Sequence, residues 1–128
     1  MTPAELRERL STDPAVAALR LAVLHGSRAR ADATERSDWD IGVLADDPPD
    51  LPALSATLTE ILGTNDVDVV DLRRTSALLR YRAARDGIPL LERPSGEFQR
   101  FQLAAVQFWC DTETVIRRAH DDVLAALG

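Results

Sequence analysis

The sequence predicts an α/β sandwich, and three observations carry that prediction. Short apolar runs recur at strand length, each bounded by Gly, Pro or Asp. Segments with apolar residues at three- and four-residue spacing lie between them. The last quarter of the chain keeps that helical spacing without a break. Strands alternating with helices bury one face of each element against the other in a layered α/β domain.

Each element has a local signal. Thr2-Pro3-Ala4-Glu5 offers a capping Thr, a first-turn Pro and a Glu placed to close a capping box, so a helix should run to about Leu10. Asp13-Pro14 restarts a short helix that ends near Ala18. RLAVLH, residues 20–25, reads as a buried strand stopped by Gly26, and residues 39–45 form the next strand, closed by Pro48-Pro49. Asp50 caps a helix carrying Leu51, Leu54, Leu58 and Ile61, with Gly63 as its stop. DVDVVDL, residues 66–72, is a third strand, residues 76–86 are helical, and IPLL, residues 88–91, is a short extended piece. From about Ser95, Phe98, Phe101, Ala105, Phe108, Thr112, Val115 and Ala119 mark one helical face. Phe98, Phe101, Phe108 and Trp109 are expected to pack that helix on the sheet, with contact to a partner chain as the alternative for part of the face.

Composition narrows the classes of function. A chain of 128 residues fits one domain, 1–128, with a core over about 19–92 and a C-terminal helical segment over about 95–127. No apolar run approaches the ~18–20 residues of a membrane span, and the charges in residues 1–20 argue against a secretory signal, so a cytoplasmic protein is expected. The single cysteine, Cys110, excludes an intrachain disulfide and a cysteine-built zinc site. All 15 cationic side chains are arginines, so neither a Walker-type lysine nor Schiff-base chemistry is available. A net charge of -6 argues against direct, broad nucleic-acid binding while leaving room for small anions at a locally positive site.

The chemistry concentrates in LHGSRARADATERSDWDIGVL, residues 24–44. Side chains two apart on a strand share a face, so Asp38 and Asp40 project together, and two such carboxylates repel unless a cation intervenes. A hard divalent ion such as Mg²⁺ suits oxygen ligands and keeps positions open for phosphate oxygens. Asp-x-Asp alone is a weak signal and reads rather as a turn capped by Ser37 and Asp38 with Asp40 on a solvated edge. Gly26, lacking a Cβ, lets an anion approach the backbone, and Ser27 adds a hydroxyl. Residues 32–36 then supply a turn into the next strand, which places Gly-Ser and the Asp pair at corresponding ends of neighbouring strands. One would hold the phosphates of a nucleoside triphosphate and the other the metal that bridges them, a site for phosphoryl or nucleotidyl transfer. A third carboxylate is expected from DVDVVDL. Asp68 is the choice there, with Asp71 as an alternative that instead caps the strand end or pairs with Arg73 or Arg74. His25 reads as a strand-end packing residue with one hydrogen bond, with a role at the phosphate edge as its alternative. His120 reads as solvated, and the helix around Tyr81 as an arginine-covered surface, with Tyr81 as an acceptor of self-transfer the alternative.

Gly26-Ser27, ten intervening residues and Asp38-x-Asp40 resemble the signature of the nucleotidyltransferase superfamily that includes DNA polymerase β. More narrowly, the stretch resembles the minimal nucleotidyltransferases, the MNT antitoxins encoded beside HEPN toxins. The resemblance covers residues 21–72. It implies the nucleotidyltransferase fold, with a short mixed sheet of three to four strands packed with helices and a long C-terminal helix. It further implies two Mg²⁺ ions held by Asp38, Asp40 and Asp68, ATP as substrate, and a triphosphate contacted by Gly26, Ser27 and Arg30. The expected acceptor is a tyrosine on a partner HEPN toxin, silenced by AMP transfer. A small-molecule acceptor such as an aminoglycoside, and a non-catalytic antitoxin acting by occlusion, are the alternatives; self-association is left open. One position departs from the pattern. The family commonly has Gly after the arginine aligned with Arg30, where this chain has Ala31. If that Gly serves a positive-φ turn, Ala31 is strained or the turn differs.

Overall fold

The computed structural model describes residues 1–34 and 36–127; Glu35, inside the turn expected over residues 32–36, and Gly128 lie outside them. Helix α1 (Pro3–Ser11) opens on the expected capping box: the Glu5 amide donates to Thr2 Oγ1 at 3.1 Å and the Thr2 amide to Glu5 Oε2 at 3.2 Å. A single 3₁₀ turn (Pro14–Val16), capped by Asp13, leads into strand β1 (Leu19–His25). Strand β2 (Trp39–Ala45) follows, then helix α2 (Leu51–Leu62), capped by Asp50 and ended by Gly63 at φ 67°. Strand β3 (Val67–Asp71), helix α3 (Ala77–Asp86) with Ser76 as its cap, strand β4 (Ile88–Glu92) and helix α4 (Glu97–Leu127) complete the chain.

The four strands form one mixed sheet in the order β3-β2-β1-β4. Strand β1 runs antiparallel to β2 and β4, while β2 and β3 are parallel. Alternation along the strands sorts their side chains into two cores. Ala22 and Leu24 of β1 with Ile41 and Val43 of β2 pack against Leu6 and Leu10 of α1 and Leu54 and Leu58 of α2. Leu21 and Val23 face the other way, onto Ala83 and Ala84 of α3 and Phe101 and Ala105 of α4.

Gly42 belongs to the α3/α4 side, and its bare backbone admits Leu72. A Cβ there would lie 2.6 Å from Leu72 Cδ2 and 2.8 Å from Leu72 Cγ. Gly42→Ala should therefore destabilise the fold by about 1–3 kcal/mol, the range for an overpacked core. Urea denaturation checks this as a lower midpoint with an unchanged slope.

Helix α4 corrects one expectation. Its first turns dock as the spacing predicts, with Phe101 and Ala105 buried. Glu97 anchors its start: Arg100 donates to it from Nε and Nη2 at 3.1 and 2.9 Å, and Arg20 of β1 lies 2.9 Å away. Phe108 and Trp109, however, do not reach the sheet. Phe108 is exposed beneath the Arg80 guanidinium at 4.5 Å, and Trp109 stacks on Tyr81 of α3 at 5.6 Å. The reason is geometric: α3 already covers the sheet there, so α4 packs on α3. Every residue from 113 to 127 is exposed. Among the described residues no helix is long and apolar enough to cross a membrane.

Candidate active site

The antiparallel register sets His25, the last residue of β1, opposite Asp40 of β2. The parallel register sets Asp40 beside Asp68 of β3. Asp40 alternates with Ile41 and therefore shares the α3/α4 side with Gly42, as Asp68 does with Val70. Asp71 falls on the opposite parity, with Val67 and Val69. It accepts from the Arg73 amide at 3.0 Å and lies 3.8 Å from Arg74, which is the strand-end cap and pairing foreseen as its alternative role.

A cavity of about 380 Å³ opens above these strand ends, lined by His25, Gly26, Arg30, Asp40, Asp68, Ser76, Leu78, Leu79 and Arg82. It gathers Gly26, Arg30, Asp40 and Asp68 of the sequence-predicted residues. Ser27 and Asp38 stand outside its lining, the first next to Gly26 in the chain and the second an exposed residue just before β2. The remaining wall comes from α3. Ser76 and Arg82 were not singled out by sequence, and no local pattern marks them, because only the packing of α3 across the sheet brings them to Asp40. His25, weighed between strand-end packing and a role at the phosphate edge, lines the cavity opposite Asp40.

Gly26 has φ 72°, and a Cβ there would sit 2.2 Å from Asp40 Oδ2, so the glycine makes room for the carboxylate. After it the chain makes one helical turn, with the Ala29 and Arg30 amides donating to Gly26 O at 3.1 and 3.2 Å. Among the described residues the Ser27 and Arg28 amides donate to no protein acceptor, as the first donors of a helical turn do not. Arg28 pins the loop: it donates to Ser37 O from Nε and Nη2 at 3.0 and 2.9 Å and lies 4.2 Å over the Trp39 ring.

Ala31 closes the turn at φ 61°, the one non-glycine residue with positive φ among the described residues. The turn is thus one that favours glycine, and alanine bears a strain of about 1–2 kcal/mol in it. Glycine loosens the unfolded chain by roughly 0.4–1 kcal/mol, so Ala31→Gly should stabilise the protein by a net ~0.5–1 kcal/mol, read as a higher melting temperature.

Burial, above all, pushes the Asp40 carboxyl above its usual range; His25 opposes this, the charges of Asp68 and Asp38 add to it, and Arg30 opposes it. Burial likewise lowers the His25 imidazole against the pull of Asp40 and Asp68, and among the described residues its buried Nε2 has no hydrogen-bond partner. Among the described residues no group of three or more His, Cys, Asp or Glu side chains is arranged to hold a metal ion. Asp40 and Asp68, side by side on β2 and β3, nevertheless offer adjacent carboxylate oxygens to the cavity, the ligand type a hard divalent cation prefers.

The family model for polymerase β nucleotidyltransferases matches residues 5–95. The chain belongs to this family. The protein adenylyltransferase MntA of Aphanizomenon flos-aquae (strain 2012/KM1/D3) is 37% identical over 116 residues, which span 79% of this chain and 76% of MntA. Among solved structures, a toxin–antitoxin with AMP-PNP superposes with a TM-score of 0.75 at 27% identity, covering 97% of this chain and 99% of that one. A tri-AMPylated Shewanella oneidensis HEPN toxin in complex with MNT antitoxin gives 0.71 at 25% identity, over 96% of this chain and 99% of that one. The minimal nucleotidyltransferase resemblance is thereby established over nearly the whole chain, α4 included.

Proposed function

We propose that this nucleotidyltransferase moves AMP from ATP to a tyrosine hydroxyl of a HEPN-type toxin in the cytoplasm and so acts as its antitoxin. The observation that supports this reading most is the register pair Asp40–Asp68 under the Gly26 turn, in a chain 37% identical to a protein adenylyltransferase.

Gly26 gives the triphosphate access to the backbone, and the Ser27 and Arg28 amides with the Ser27 hydroxyl donate to its oxygens. Arg30 adds positive charge at the cavity rim. Asp38, Asp40 and Asp68 would hold Mg²⁺, two ions in this reading, which when bound neutralise the phosphates and the departing pyrophosphate. Asp68 faces the acceptor side and takes the proton of the hydroxyl. The acceptor oxygen then bonds to the α-phosphorus as the bond to pyrophosphate breaks, and AMP remains on the acceptor. His25, kept neutral by burial, adds no positive charge to compete with the cation.

Separate Asn substitutions test the assignment of the third carboxylate. Asp68→Asn should lower AMP transfer from labelled ATP to the toxin by on the order of 10²–10³-fold. Asp71→Asn, on the other face, should keep transfer within a few-fold of wild type. Loss confined to Asp71→Asn would contradict the assignment.

A further inference from the structure

A second cavity, of about 280 Å³, lies between α3 and the start of α4, with Leu44, Leu72, Phe101 and Ala105 as its apolar floor and Arg73, Arg80, Glu97 and Arg100 among its polar walls. Its charges do not balance. Glu97 is already paired by both Arg20 and Arg100. Among the described residues Arg73 and Arg80 have no carboxylate partner; Arg73 donates only weakly to Asp46 O at 3.4 Å, and Arg80 Nη2 donates to Arg73 O. Among the described residues Arg80 Nε is buried without an acceptor, while its guanidinium lies on Phe108. Leaving a buried charged donor unmet is costly unless an anion completes it. In a chain of net charge -6 this is an island of positive charge.

The floor of this cavity continues along α4. Phe101, Ala105 and Phe108 lie on the helical face that runs on through Val115, Ile116 and Val123. Those three residues are 65%, 60% and 58% exposed, and Leu127 is 79% exposed. The opposite face carries Glu113, Arg117, Arg118 and Asp121. An apolar stripe over residues 113–127, about 22 Å of helix, thus leaves the body uncovered. A helix end of that length is marginal in water without a packing partner.

We propose that the arginine cavity and the free stripe of α4 are one docking surface for an amphipathic helix of the toxin, with an acidic side chain of that helix entering the cavity beside Arg73 and Arg80. The uncompensated guanidiniums select an anion, and the apolar floor selects one borne on an apolar stem, a Glu or Asp of a helix lying in the groove. This rests on the toxin being the acceptor. The surface is distinct from the cavity of Asp40 and Asp68, so docking and chemistry can be separated by mutation.

Two variants at exposed or rim positions test it: Ile116→Asp/Val123→Asp on the stripe and Arg73→Gln/Arg80→Gln at the cavity, with circular dichroism verifying that each folds. Affinity for the toxin is measured by isothermal titration, transfer by intact mass, and ATP binding by thermal shift with a non-hydrolysable ATP analogue and Mg²⁺. The stripe variant should lose on the order of 100-fold in toxin affinity and the arginine variant about 10-fold, both keeping wild-type nucleotide binding. The arginine variant should also lose most of the salt dependence of binding. Undiminished toxin affinity in both variants overturns the docking surface. So does a wild-type dimer that the stripe variant converts to monomer, because the stripe would then serve a second copy. Toxin binding that fails in the variants, with no AMP on the toxin even from wild type, sinks the transfer reading and leaves the docking surface standing.

Discussion

Asp40→Asn should abolish AMP transfer, by on the order of 10³-fold or more, while making the metal-free protein more stable at neutral pH. The two effects have one origin. Asp40 sits in the sheet between His25 and Asp68, and burial raises its carboxyl above the ordinary value of 3.8. A carboxyl raised in the folded state binds its proton more tightly there than in the unfolded chain. Its contribution to stability is therefore fully present below about 3.8 and is lost as pH rises through the folded value. At neutral pH the ionised Asp40 is a burden on the fold, and asparagine removes it. A cation bound at the site reverses the balance, because ionised carboxylates are then required. Melting in EDTA should place Asp40→Asn above wild type at neutral pH, with the gap closing toward pH 4. Melting with Mg²⁺ and an ATP analogue should raise wild type and leave the variant where it was. A variant less stable than wild type in EDTA, at unchanged activity, would assign Asp40 a structural role.

Gly26→Ala is expected to have the next largest effect, and a second glycine supplies its control. Gly26 and Gly63 have nearly the same φ, 72° and 67°. Alanine at either position carries a left-handed strain of about 1–2 kcal/mol. Their surroundings differ. At Gly63 a Cβ meets nothing within 4 Å, whereas at Gly26 it would lie 2.2 Å from Asp40 Oδ2 and 3.1 Å from Asp40 Cγ. Gly63→Ala should thus lower the melting temperature by a few degrees and leave transfer intact. Gly26→Ala should show a comparable loss of stability together with a fall in transfer of on the order of 10²-fold or more, since it displaces the carboxylate and obstructs the backbone approach. Equal activity in the two variants would show that Gly26 serves the turn alone.

The parts legible in the sequence are those set by neighbours in the chain. The Thr2–Glu5 capping box, the Asp50 cap and the Gly63 stop all act within a few residues, and the strands declared themselves by apolar runs between turn residues. The Gly26-Ser27 turn and Asp40 were legible for the same reason. Choosing Asp68 over Asp71 needed parity: two residues on one strand three apart face opposite ways, but which face meets Asp40 depends on the parallel pairing of β2 and β3. That pairing is a long-range fact. Ser76 and Arg82 reach the cavity only because α3 lies across the sheet, so nothing around them in the sequence reports it. Helix α4 teaches the complementary lesson. Periodicity identified its apolar face through Ala119, yet a repeat states that a face is to be covered and not by what. Phe101 and Ala105 meet the body, Phe108 and Trp109 meet α3, and Val115 stands exposed. Ala31 lies between the two cases: the departure from glycine was visible, and its φ of 61° gives the strain it implies.

Intact mass of the HEPN-type toxin co-expressed with this chain tests the central claim most directly. With wild-type protein the toxin should gain one or more AMP-sized increments, and with Asp38→Asn/Asp40→Asn it should gain none. A toxin neutralised by the wild-type chain with no change in mass would contradict the transfer account and leave inhibition by occlusion.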